Sequence, residues 1–218
     1  MNIRKNVDLV RQNIQSLVVN SEAVNIVAAT KYANANQILE LFESGITMMG
    51  ENRVDALLEK KAQLSLPIEW HFIGTLQSRK VKDVINEIEC LHSLDRLSLA
   101  TEIQKYRQEP LPCFIQVNVS KEESKHGLSI EEVIPFIEAL KQYPVIQVIG
   151  LMTMAPHTND EGVIRDCFKK LKQLQVSISE CHLEVNCSML SMGMSNDYMI
   201  AIEEGATHIR LGSGLFQD

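Results

Sequence analysis

A surplus of basic residues is missing from this chain: 21 Lys and Arg stand against 28 Asp and Glu, a formal net charge of −7 at pH 7. Binding along a nucleic acid neutralises phosphates with Lys and Arg concentrated on at least one face, so the balance argues against that class. A phosphorylated small ligand asks only for local positive charge. Glycine and proline are also scarce, 10 and 6 in 218 residues, which sets aside collagen-like and low-complexity chains. The five cysteines (90, 113, 167, 181 and 187) are odd in number and form no C-x-x-C pair, so neither a disulfide framework nor a zinc ribbon is expected. No spacing links the histidines to Cys, Asp or Glu as a metal set. No apolar run is long enough to span a bilayer, and the opening MNIRKNVDLVRQNIQSL lacks a basic stretch followed by an apolar one. The expectation is a soluble, cytoplasmic protein without membrane or nucleic-acid partners. Linkers, repeats and biased segments are absent too, and residues 1–218 read as a single domain.

Short apolar, β-branched runs recur over residues 24–31, 47–50, 69–74, 89–95, 113–120, 148–154, 184–193 and 207–214, eight strand candidates in all. Between them apolar residues fall at helical spacing, as in Ile38-Leu39-Leu41-Phe42 and Ile130-Val133-Ile134-Ile137-Leu140. Alternation of strand and helix indicates a parallel sheet, and several strands are apolar on both faces, as they are between a barrel interior and an outer helical layer. An open doubly wound sheet is the competitor, but the first run ends Thr30-Lys31-Tyr32 without a glycine-rich turn. The expected fold is an α/β single (β/α)₈ TIM barrel. An extra N-terminal helix over residues 3–18 has no strand before it and is expected to cap the barrel bottom.

Barrel sites form at the C-terminal ends of strands, so the informative residues are the polar ones just after each apolar run. These are Lys31; Glu51 and Asn52; His71 and Gln77; Ser93 and Asp95; Asn118; Thr153; Ser191 and Ser195; and Arg210, Gly212 and Ser213. Lys31 would project its amine into the mouth, where desolvation and nearby cations lower an amine pKa and make it a nucleophile toward an aldehyde. A lysine that snorkels out of the rim is the alternative. Loops after strands seven and eight commonly bind phosphate, and here they read Ser191-Met-Gly-Met-Ser195-Asn-Asp197 and Arg210-Leu-Gly212-Ser213-Gly214. Ser195 opens a helix expected over residues 196–204, either as a plain N-cap or as cap and phosphate ligand together. Arg210 alternates inward on strand eight and needs a partner, which a pyridine nitrogen would supply. Asn52 fits a capping pattern with Asp55, and Ser78 one for the helix carrying Arg79 and Lys80. His71 reads as a hydrogen-bonded barrel histidine. Methionines 152, 154, 189, 192 and 194 read as core filler or as an apolar wall for a flat ring.

Taken together, Ala28-Ala-Thr-Lys31, Gly50-Glu-Asn52, Trp70-His-Phe-Ile-Gly74 with Leu76-Gln-Ser78, His92-Ser-Leu-Asp95, Gln116-Val-Asn118, Lys125-His-Gly127, Gly150-Leu-Met152 and the two C-terminal loops make the chain resemble the pyridoxal phosphate homeostasis proteins, relatives of the alanine racemase barrel. The resemblance runs along nearly the whole chain. It implies that Lys31 holds pyridoxal 5′-phosphate as a Schiff base, that Ser195, Gly212 and Ser213 hold its phosphate, that Arg210 faces the ring nitrogen and that Asn52 neighbours the ring. The sequence departs from the family pattern at Arg79, usually asparagine, and at Gln217, usually glycine. Two functions stay open: a carrier that buffers pyridoxal phosphate and delivers it to apo-forms of its enzymes, or an amino-acid racemase using the same Schiff base. A racemase of this fold is expected to continue in a second domain that supplies an acid–base group, and the chain ends soon after strand eight, which favours the carrier. A monomer or weak homo-oligomer is expected.

Overall fold

The computed structural model describes residues 2–18, 23–122, 126–180 and 184–217; Lys125 and Cys181 lie outside them. Eight parallel strands close into a barrel in chain order: β1 (Asn25–Ala29), β2 (Met48–Glu51), β3 (Glu69–Phe72), β4 (Cys90–Leu94), β5 (Leu111–Gln116), β6 (Ile146–Met152), β7 (Met189–Ser191) and β8 (His208–Leu211). Closure is made by β1 and β8, where Asn25 to Ala28 pair with His208 to Leu211. Each expected strand is present. Most are shorter at the C-terminal end than the apolar run, because the last residues turn into the loops that carry the polar candidates.

The helices are α1 (Ile3–Leu17), α2 (Ala35–Glu43), α3 (Val54–Gln63), α4 (Val81–Val84), α5 (Leu97–Tyr106), α6 (Ile130–Leu140), α7 (Glu161–Glu180), α8 (Tyr198–Glu203) and α9 (Ser213–Phe216). Local chemistry starts several of them. Asn34 and Gln37 form a reciprocal capping box on α2, and Ser129 with Glu132 does so on α6. In α1, Ile3, Val7, Val10 and Ile14 recur at three- and four-residue intervals and are all buried. Their burial contributes about 1.5–3 kcal/mol per side chain. This helix does not cap the barrel bottom as expected. It packs against α2, α8 and α9, with Asn6 Nδ2 donating to Leu215 O (3.1 Å) and Asn13 Nδ2 to Tyr198 Oη (2.7 Å). It thus joins the outer helical layer, beside α2, which follows β1, and beside α8 and α9, which flank β8 in the chain.

The barrel interior departs from the usual layers of branched aliphatics. It holds three buried histidines and Phe114: His92 packs on Phe114 with ring centroids 4.5 Å apart, and His208 meets Phe114 edge-on at 5.1 Å. Room for these rings is matched by close strand approach elsewhere, since a Cβ at Gly150 would lie 2.0 Å from Met189 O on the neighbouring strand.

Candidate functional site

The loops at the C-terminal ends of the strands enclose a cavity of about 600 Å³. Asn52, Ser195, Arg210, Gly212 and Ser213, five of the six residues named from the sequence, line it together with Ala29, Ile73 and residues 154–159. The volume falls in the range of small-molecule sites.

Strands β7 and β8 build one wall. Ser195 Oγ accepts the amides of Gly212 (3.2 Å) and Gly214 (3.1 Å), which ties the two loops together and gathers a hydroxyl and two backbone N–H groups in one place. A Cβ at Gly212 would find only Ala29, its nearest atoms at 3.7 and 3.8 Å, so the space beside these donors is open. Ser195 is not an N-cap. The helix begins later, at Tyr198, because Asp197 Oδ1 accepts from Met194 N (2.5 Å) and closes a turn over residues 194–197. Burial pushes the Asp197 carboxyl above the usual aspartate range.

Arg210 is 5 % exposed and bonded on its inner side: Nη1 donates to Ser191 Oγ (2.7 Å) and Nη2 to Thr153 O (3.0 Å). A guanidinium has five N–H donors, so others remain on a group that lines the cavity. Burial brings its pKa down to about 10, below the value above 12 that an arginine ordinarily has, yet it stays a cation at neutral pH. Ser191 links it to a buried relay. Ser191 Oγ and His92 Nδ1 lie 2.8 Å apart, and His92 Nε2 and His71 Nδ1 2.9 Å. With the hydroxyl already accepting from Arg210, the arrangement that satisfies every group has Ser191 O–H donating to His92 Nδ1 and His92 Nε2–H donating to His71 Nδ1. Burial supports neutral rings, lowering His71 to about 3, His208 to about 4 and His92 in the same direction. His71 is thus the hydrogen-bonded barrel histidine expected. Cys90 Sγ joins the donor atoms of His71 and His92 within 4.8 Å, a grouping that no sequence spacing announces.

The opposite wall, at β1 and β2, differs from expectation. Lys31 is exposed, and its ammonium lies over the Tyr32 ring, 4.8 Å from the centroid, rather than desolvated inside the mouth. It is not among the cavity-lining residues. Tyr32 offers an aromatic face at the surface, and a cation–π contact there leaves the charged amine in water, whereas the cavity already holds the buried cation Arg210. Asn52 does line the cavity, but the N-cap of α3 is Arg53 and no side chain caps there. Ser78 likewise caps nothing; it begins a 3-10 turn, Ser78–Lys80, and Arg79 Nε donates to Gln77 Oε1 (3.0 Å). Among the methionines, 152 and 192 are buried, whereas Met154 and Met194 line the cavity as an apolar wall.

The sequence reading missed His157, Thr158 and Asn159 of the β6–α7 loop and Glu161, the first residue of α7, which line the same cavity. Counting residues after the β6 run would have found them, had the run been ended at Met152 instead of 154. The donors present suit a phosphorylated, aromatic, anionic ligand: converging hydroxyl and amide N–H groups, a buried cation and an apolar wall.

The alanine racemase N-terminal domain family matches residues 2–218. A pyridoxal phosphate homeostasis protein of Aquifex aeolicus is 40 % identical over 197 residues, 88 % of this chain and 85 % of that relative. The structure of PipY from Synechococcus elongatus with PLP bound aligns with a TM-score of 0.88 at 26 % identity, covering 99 % of this chain and all of that one. Alanine racemase from Corynebacterium glutamicum shares the fold alone, with a TM-score of 0.78 and 14 % identity over 99 % of this chain and 60 % of the other. Barrel, cavity and relatives agree, and the chain belongs to the alanine racemase N-terminal domain family and, within it, to the pyridoxal phosphate homeostasis proteins.

Proposed function

We propose that this protein binds pyridoxal 5′-phosphate in the barrel mouth, attached through Lys31, and serves as a carrier that stores the cofactor and delivers it to apo-forms of the enzymes that use it. The observation that carries the reading is the meeting of Ser195, Gly212, Ser213, Arg210 and Asn52 in one cavity. The PLP-bound PipY structure supports it from a relative with the same barrel. Ser195 and the amides of Gly212 and Ser213 receive the phosphate, for which hydroxyl and backbone donors at close approach are suited. Arg210 donates toward the ring nitrogen. Met154 and Met194 lie along the ring. Bound there, pyridoxal phosphate would supply an aldehyde that combines reversibly with amines and a ring that accepts electrons.

Attachment would have Lys31 swing its flexible four-carbon stem away from Tyr32 and toward the cavity. Arg210, charged at neutral pH, donates hydrogen bonds while keeping its own protons, so it favours retention over carbanion chemistry. The test is a titration of the apo-protein with pyridoxal phosphate and, separately, with pyridoxal, followed by incubation of the loaded protein with a panel of amino acids in deuterated water. Saturable binding that prefers the phosphorylated form, without sustained α-proton exchange or keto-acid formation, is the expected result. Equal affinity for both vitamers would defeat the phosphate assignment, and multiple turnover of any amino acid would replace the carrier with a racemase or transaminase.

A further inference from the structure

Two residues assigned to the cofactor, Lys31 and Asn52, directly follow Thr30 and Glu51. Those two are fully buried and bonded to each other: Thr30 Oγ1 donates to Glu51 Oε1 (3.0 Å), and Thr30 N donates to Gly50 O (2.9 Å). Glu51 Oε2 accepts from the amide of Asn52 (3.0 Å). Lys60, in the last turn of α3, inserts its ammonium between the strand ends, where it pairs with Glu51 Oε1 and donates to Thr30 O (2.6 Å). Its side chain is 12 % exposed and that of Glu51 is 0 % exposed.

A buried ion pair at this place needs a reason, because well-packed apolar residues of similar volume commonly give equal or greater stability. Stability alone therefore does not account for the pair. What it provides is geometry. Glu51 binds Thr30, the first residue after β1, and the amide of Asn52, and Lys60 binds the last carbonyl before Lys31. The chain is held at each atom from which the two cofactor residues depart. The amine of Lys60 is itself engaged with a carboxylate and a carbonyl, which withholds it as a rival to Lys31.

We propose that Glu51 and Lys60 are positioning residues that fix the point and direction at which Lys31 leaves β1 and Asn52 leaves β2, so that covalent capture of a carbonyl ligand happens at Lys31 and at a useful rate. The proposal rests on the reading of Lys31 as the attachment point.

The experiment compares wild type with Lys60→Met, the neutral pair Glu51→Gln/Lys60→Met, and Thr30→Val, each checked by circular dichroism. Two quantities are read. One is the rate at which borohydride traps pyridoxal phosphate on Lys31. The other is the affinity for pyridoxamine phosphate, which carries ring and phosphate but no aldehyde. Loss of positioning should slow capture by about 10- to 100-fold in the first two variants, the scale of a misplaced reacting group. Affinity for the aldehyde-free analogue, which forms no bond to Lys31 and feels only the displacement of Asn52, should change far less than the capture rate. Thr30→Val, which keeps the shape of the side chain and removes one bond to Glu51, should slow capture less; it decides the question if the charge variants do not fold. Unchanged capture rates, or a parallel loss of analogue affinity, would overturn the positioning role. Wild-type protein trapped on a lysine other than Lys31 would overturn the underlying assignment, an outcome distinct from wild-type trapping at Lys31 with variants that match it.

Discussion

The two walls of the barrel mouth are built differently. On the β7–β8 side, Ser195 and Arg210 are held by backbone amides, by Ser191 and by a carbonyl, and the relay behind Arg210 runs through two neutral histidines. On the β1–β2 side, the backbone is clamped by Glu51 and Lys60 while the side chain of Lys31 lies in solvent over Tyr32. The difference matches two tasks. Holding a phosphate and a ring requires donors that are already in place, whereas forming and releasing a covalent bond requires an amine that can move. The expected outcomes below separate the preformed wall from the movable one.

The largest effect falls on the buried polar interior. His71, His92 and His208 are held neutral by burial, with His71 at about 3 and His208 at about 4. In the unfolded chain each has a pKa near 6.5, so below that value the unfolded state binds more protons and stability declines as pH falls toward the folded values. The slope is about 1.4 kcal/mol per pH unit for each such group. Urea midpoints should agree between pH 8 and pH 7 and drop clearly by pH 5. A midpoint at pH 5 equal to that at pH 7 would mean the rings are not buried and neutral.

Next in size is Ser195→Ala, which removes the hydroxyl shared by two loop amides. Cofactor affinity should fall by about 1–3 kcal/mol, the scale of a hydrogen bond to a charged group. Gly212→Ala should act in the same direction, because the added methyl meets only ordinary contacts with Ala29 and projects into the space beside the donors. Equilibrium dialysis measures both, and wild-type affinity in both would move the phosphate site elsewhere. Ser191→Ala severs Arg210 from His92 and should lower thermal stability by about 1–2 kcal/mol, leaving His92 Nδ1 without its donor. The smallest effect is expected on the movable wall: Lys31→Ala should change folding stability by no more than about 0.5 kcal/mol, as for an exposed side chain, in chemical denaturation of the apo-protein.

The barrel was legible because each strand is a short apolar run and each helix carries its own spacing. The β7–β8 wall of the cavity was legible because small and hydroxyl residues cluster after the last two runs. Other features were not. The first residue of α8 depends on Asp197 reaching Met194, a local bond with the same sequence signature as a cap at Ser195. The place of α1 is set by its packing on α2, α8 and α9, the last two distant from it in the chain. The histidine relay joins β3, β4, β7 and β8 across the barrel, and no spacing along the chain records which inward residues meet at its centre. Glu51 was visible as a polar residue at a strand end, but its partner Lys60 lies on α3, and their pairing appears only in the folded structure.

Lys31, exposed in this structure, is the residue proposed to capture the cofactor. Borohydride reduction of protein incubated with pyridoxal phosphate, followed by peptide mapping by mass spectrometry, tests it directly. A single reduced pyridoxyl adduct on Lys31, absent from Lys31→Ala, is the predicted result; an adduct on Lys60 or any other lysine at comparable yield, with Lys31 unmodified, would contradict the account.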